Sequence, residues 1–160
     1  MGSYTFIDHT ADIAVLIKGS TIEELFINAA LAWKESVSET ITQDTVEQGE
    51  TVERGEVEQN ILHEKIISIT ETSREELLVS FLSELNFLIS AKKWIFNSVK
   101  DIKILSVEKK DEFTLNALIA GEEFNPLRYK LKEEIKAVTF HQMKITFDNK
   151  EFSTIVVFDI

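Results

Sequence analysis

A chain of 160 residues, 44% of them hydrophobic, carries enough apolar material for one well-filled core, and a single proline and five glycines leave little room for long linkers. Its net charge of −11 argues against unaided gripping of a nucleic-acid backbone, which needs a field of Lys and Arg. The absence of cysteine excludes disulfides, iron–sulfur clusters and thiolate zinc sites together. One domain over residues 1–160 is the expectation. With no basic leader and no apolar run of membrane-spanning length, the chain reads as soluble and cytoplasmic.

The first apolar run, Tyr4 to Ile7, reads as a strand, and a second, Ile13 to Ile17, begins five residues later. Between them Asp8-His9-Thr10-Ala11-Asp12 packs two carboxylates and an imidazole into one connection. A tight turn stiffened by Asp side chains has this composition, and so has a site at a sheet end. Ser20-Thr21-Ile22-Glu23 then matches a capping box, in which the Ser hydroxyl serves the first free N–H groups and Glu23 answers back. Leu25, Phe26, Ala29, Ala30, Trp33 and Val37 follow at helical spacing and predict an amphipathic helix from Thr21 to about Val37.

From residue 38 to 58 the chain turns acidic, with Glu39, Asp44, Glu47, Glu50, Glu53, Glu56 and Glu58 set against Arg54. Repulsion and sparse apolar residues predict an exposed excursion here, with room for edge strands. Leu62 to Ser68 resumes strand composition, and Thr72-Ser73-Arg74-Glu75 offers a second capping box. Glu76, Leu77, Leu78, Phe81, Leu82, Leu85 and Ile89 then fall on Glu24, Leu25, Phe26, Ala29, Ala30, Trp33 and Val37 at a constant offset. Two strand–cap–helix units with one apolar pattern suggest a duplication.

Strands crowd the remainder. Ile95 to Val107 is long enough for one or two, and Lys109-Lys110-Asp111-Glu112 forms a hairpin turn before the strand Phe113 to Ala120. Gly121-Glu122-Glu123 and Asn125-Pro126 break the run. Glu134 to His141, Met143 to Phe147 and Phe152 to Asp159 complete the set, with Asp148-Asn149-Lys150 as the last turn. The predicted class is α+β: a single mixed β-sheet packed against two main helices, with duplicated strand–helix units.

On the last strand Asp159 ends an apolar face and is followed by the terminal carboxylate of Ile160. Should Asp8 or Asp12 meet these groups, the concentration of negative charge calls for raised pKa values or a cation. Oxygen-only donors favour a hard divalent ion such as Ca²⁺, Mg²⁺ or Mn²⁺, with His9 as a ligand or as its hydrogen-bonded support. Lys136 either snorkels to water or brings a cation to that cluster. His141 reads as a packing residue.

Several of these segments together resemble the archease family. They are Phe6 to Asp12, Gly19 to Phe26 with Ala29-Ala30, Glu76 to Leu85, Ile135 to His141, and Val156 to Ile160. The match runs through nearly the whole chain in order, and the Asp-His-Thr-Ala-Asp and Ile-Lys-Ala-Val-Thr segments are its specific parts. The resemblance implies an accessory protein of RNA ligation, one that activates an RtcB-type tRNA-splicing ligase by promoting its guanylylation and turnover. It implies a divalent-metal site on Asp12, Asp159 and the terminal carboxylate of Ile160, with a family lysine at Lys136. tRNA would then be met through the ligase. A modulator of tRNA methyltransferases, chaperone-like in action, is the other role proposed for the family.

Two further classes compete with a non-catalytic activator. A stand-alone metal-dependent hydrolase would need Asp8 or His9 as base, and the chain offers neither a Ser/His/Asp set nor a phosphate-cradling glycine loop. A pure interaction module would bind a basic partner through the acidic segment.

Overall fold

The computed structural model describes residues 3–41, 62–140 and 143–160. Elements follow in the order β1 (Ser3–Ile7), β2 (Ile13–Gly19), α1 (Ile22–Val37), β3 (Ser38–Thr40), β4 (His63–Glu71), α2 (Arg74–Lys92), β5 (Trp94–Val107), β6 (Glu112–Glu123), β7 (Tyr129–Leu131), β8 (Ala137–Thr139), β9 (Thr146–Asp148) and β10 (Glu151–Asp159). The α+β class and the two helices are as expected. The strands, however, do not form one mixed sheet. They are hydrogen-bonded into a five-stranded sheet in the order β1-β2-β10-β8, with β9 also on β10, a three-stranded sheet β4-β6-β5, and a ribbon β3-β7. Every pairing is antiparallel.

The two larger sheets repeat one plan. In each, the strand that leads into a helix (β2 or β4) is bonded to the later strand of a subsequent pair (β10 or β6), and the earlier member (β8 or β5) lies beyond it. The unit β4-α2-β5-β6 is therefore inserted between α1 and β8 of the other. Each helix packs on strands of both sheets: α1 on β2 and β5, α2 on β4, β5 and β8. One continuous core results, in which Phe26, Trp33, Phe81, Phe96 and Phe158 are fully buried. Burying each such side chain contributes about 1.5–3 kcal/mol, enough for this shared core to hold the sheets and helices together.

Both helices start one residue later than the capping boxes suggest. Thr21 is the N-cap of α1, its Oγ1 accepting from the Glu24 N–H at 3.1 Å, and Glu24 takes the N–H and hydroxyl of Ser20 in return. Ser73 caps α2 in the same way, accepting from the Glu76 N–H at 3.0 Å, while Glu76 answers to Thr72. Glu23 and Glu75 are thereby released for another task. Glu23 Oε1 accepts from the backbone N–H of Ile104 at 3.4 Å, and Glu75 Oε1 from that of Ile145 at 3.0 Å. Each helix start is thus tied to the backbone of the opposite unit, in β5 at Ile104 and just before β9 at Ile145.

Gly19 explains how α1 folds back on the end of β2. A Cβ there would lie 2.4 Å from the Leu25 nitrogen and 2.9 Å from the Glu24 carbonyl carbon, so only a glycine fits. The helix α2 ends on Lys93 in the left-handed conformation (φ 52°), whose N–H donates to the Leu88 carbonyl.

Other boundaries moved. β5 is one strand, irregular at Phe96/Ser98 and Val99/Asp101. The expected strand 134–141 shrinks to Ala137–Thr139, because residues 132–136 run without regular structure, and Met143 to Phe147 yields only Thr146–Asp148. Of the acidic segment 38–58, Ser38–Thr40 is an edge strand paired with β7, and residues 42–58 lie outside the described residues, as does His141. No helix among the described residues is long and apolar enough to cross a membrane.

Candidate metal centre

The register of β2 against β10 runs from Phe152↔Gly19 to Phe158↔Ile13. The next step of that register sets Asp12 against Asp159. Asp12 itself lies in the bend before β2, one residue past the last bonded pair, so the pairing fixes the approach of the two chain segments there. On its other side Asp159 pairs with Ala137, and its carbonyl accepts the backbone N–H of Lys136 at 2.7 Å. Three stretches distant in sequence therefore meet at one sheet end: the turn 8–12, the last two residues, and the entry to β8.

The side chains there are accessible. Asp12 and Ile160 are half-buried, and Asp8, His9, Lys136 and Asp159 are exposed. His9 Nδ1 stands 3.9 Å from Asp12 Oδ2, too long for a hydrogen bond but close enough for a protonated imidazole to pair with the carboxylate. Asp8 makes no hydrogen bond or ion pair among the described residues, and the lysine side chain reaches water as a strand-end lysine should.

The donor chemistry fits a hard cation. Asp12, Asp159 and the terminal carboxylate of Ile160 offer only oxygen, the ligand type that Ca²⁺, Mg²⁺ and Mn²⁺ prefer. Among the described residues no three His, Asp or Glu side chains form a metal-holding group.

A second polar centre escaped the sequence reading. Glu122, read as part of a break, lies within β6 and is 1% exposed. The Tyr129 hydroxyl donates to its carboxylate, and Arg128 Nη2 lies 3.4 Å from Oε1. Burial pushes the Tyr129 phenol up, and the hydrogen bond to Glu122 adds to the shift. Lys34, half-buried, is held below the usual amine range by burial, with Glu122 partly offsetting the effect. The β6 alternation gives no hint of this, because the core residues Leu115, Ala117 and Ile119 lie on the other face from Glu122.

A model of the Archease protein family (MTH1598/TM1083) matches residues 4–160. The chain belongs to the archease family. It is 35% identical over 159 residues to protein archease of Methanosarcina mazei, covering 98% of this chain and 95% of that one. Protein archease of Thermococcus kodakarensis is 34% identical over 145 residues, 91% and 89% of the two chains. Among solved structures, protein 1598 of Methanobacterium thermoautotrophicum superposes with a TM-score of 0.67 at 30% identity, covering 98% of each chain. The archease of Thermotoga maritima, described as a possible chaperone, gives 0.56 at 25% identity over 96% of this chain and 94% of that one. The archease segments quoted from the sequence include the three stretches that meet at the carboxylate end.

Proposed function

We propose that this archease is a non-catalytic accessory protein that activates an RtcB-type tRNA-splicing RNA ligase, promoting its guanylylation and turnover through a divalent cation at the carboxylate end. The observation that carries the reading is the β2–β10 register, whose last pair, Ile13↔Phe158, adjoins Asp12 and Asp159 in sequence. Asp12, Asp159 and the terminal carboxylate would hold the ion. A bound Ca²⁺, Mg²⁺ or Mn²⁺ would supply a hard Lewis acid for phosphate oxygens at the ligase. His9 orients Asp12, and the Lys136 side chain stands at the rim, where its ammonium can meet a phosphate or a carboxylate of the partner. With a net charge of −11, the chain meets tRNA through the ligase rather than alone. The setting is cytoplasmic.

The test is guanylylation of purified ligase in the presence of wild type, Asp12→Ala or Asp159→Ala. Both variants should fold and both should lose activation; full activation by the pair would end the reading. The alternative, a chaperone-like modulator of a tRNA methyltransferase, draws on the description of the Thermotoga maritima protein as a possible chaperone. It predicts that methyltransferase activity responds to the protein whether or not the two aspartates are present.

A further inference from the structure

Residues 132–136 lead into the carboxylate end without regular secondary structure, yet Ile135 is only 4% exposed. The peptide group between Ile135 and Lys136 is held from both sides. Its carbonyl accepts from Asn86 Nδ2 at 2.8 Å, and its N–H donates to the Asp159 carbonyl at 2.7 Å. In a trans peptide these two groups point in opposite directions, so the pair of bonds fixes the plane of the group. Asn86 is itself oriented. Trp33 is fully buried, and its indole N–H donates to Asn86 Oδ1 at 3.3 Å. An indole nitrogen can only donate, so it selects the amide rotamer that leaves Nδ2 facing Ile135.

We propose that Asn86 is a positioning residue for the carboxylate end: with Trp33 it forms a relay, from the contact between the two helices through the 135–136 peptide to the main chain of Asp159. This relay sets where Asp159 presents its carboxylate and where Lys136 leaves the surface. Asn86 and Trp33 act on this end through the 135–136 peptide. The inference rests on the metal reading for its functional half, and on hydrogen-bond geometry alone for its positioning half.

The experiment uses the full chain with Asn86→Leu, Asn86→Asp and Trp33→Phe. Both Asn86 variants remove the donor to Ile135, one without charge and one with it, so an effect common to them is not a charge effect. Trp33→Phe removes the orienting donor and part of the buried ring, so its thermal midpoint is read beside its exchange. Backbone amide exchange of Lys136 is measured against the amides of β10, and Ca²⁺ affinity is measured by calorimetry beside the thermal midpoint. In both Asn86 variants the Lys136 amide should exchange about tenfold faster or more while the β10 amides keep their protection. Ca²⁺ should bind about tenfold more weakly, as when the hydrogen-bonded support of a metal ligand is removed. Trp33→Phe should show the same changes at smaller size. Unchanged Lys136 exchange in Asn86→Leu and Asn86→Asp overturns the relay. Faster exchange with Ca²⁺ affinity within about twofold of wild type overturns its functional half. A wild type that binds no Ca²⁺, Mg²⁺ or Mn²⁺ overturns the metal reading itself, and the exchange data then decide positioning alone. Should Asn86→Leu fail to fold, the exchange of Asn86→Asp and Trp33→Phe decides the relay.

Discussion

The two strand–helix units perform the same operations with different chemistry. At equivalent places on α1 and α2, Lys34 and Asn86 each donate to a backbone carbonyl of the opposite unit, Asn97 at 3.2 Å and Ile135 at 2.8 Å. Nearer the helix starts, Glu23 and Glu75 each catch a backbone N–H of the opposite unit. Pairing registers extend the equivalence. Ile13↔Phe158 in one sheet corresponds to Lys65↔Ile119 in the other, so Asp159 and Ile160 stand where the other unit has Ala120 and Gly121. Just beyond, one unit places Glu122, buried and answered by Tyr129, Arg128 and Lys34. The other unit has Asp159, exposed, at the position of Ala120, and Asp12, half-buried, in the turn before β2. A buried carboxylate compensated from within the chain is a structural device, whereas an exposed one keeps its water and needs no such partner.

The largest expected effect breaks the compensated end. Glu122→Ala removes the carboxylate that pairs with Arg128 and accepts from Tyr129, and should cost about 3–5 kcal/mol in urea unfolding. Asp159→Ala, at an exposed position, should stay within about 0.5 kcal/mol of wild type. Equal costs would erase the distinction between the two ends. Next, Asp12→Ala and Asp159→Ala should each weaken divalent-ion binding by about tenfold or more in calorimetry, where Glu122→Gln should leave it unchanged. Retained affinity in the two aspartate variants would move the ion elsewhere.

The caps offer a finer comparison. Thr21→Ala and Ser73→Ala should each lower stability by about 1 kcal/mol, because the two caps make the same bond. A difference much beyond that in thermal unfolding would show that the units do not share their helix starts equally. The smallest effect is a titration. The Tyr4 phenol is pushed up to about 12 from an ordinary value of 10.0, chiefly by its hydrogen bond to Glu35, with burial and the Glu35 charge adding to it. A raised folded-state value means the contribution to stability is fully present below pH 10 and fades as pH rises through about 12. A phenolate absorbance titration should show two raised steps in wild type, and Tyr4→Phe should halve the amplitude and leave that of Tyr129.

Periodicity carried the helices, most strands and the duplication, because burial on one face writes itself into the order of apolar residues. It could not carry sheet membership: which strand bonds to which depends on partners far away in sequence, hence one sheet where there are two and a ribbon. The capping boxes slipped by one residue for a local reason. Ser20-Thr21 precedes Glu23-Glu24, and Thr72-Ser73 precedes Glu75-Glu76, so each doublet fits the box in two frames. Residues 134–141 read as continuous strand because Ile135 is apolar, but a side-chain amide rather than a strand takes its carbonyl. Asp12 and Asp159 were legible as candidates through the family likeness, and the register adds that their neighbours Ile13 and Phe158 are paired. Glu122 and Asn86 were not legible, since their roles come from neighbours that no local pattern names.

The insertion of one unit into the other also has a kinetic consequence. All three strands of the β4-β6-β5 sheet come from one contiguous stretch, residues 63–123, whereas β2 finds β10 only across the rest of the chain. Closing short loops precedes closing long ones, so the inner sheet should fold early and the outer one late. Pulse-labelled refolding should therefore protect β4–β6 amides before those of β2 and β10. On this ordering, the sheet end where the turn 8–12 meets the last strand is the last feature to mature.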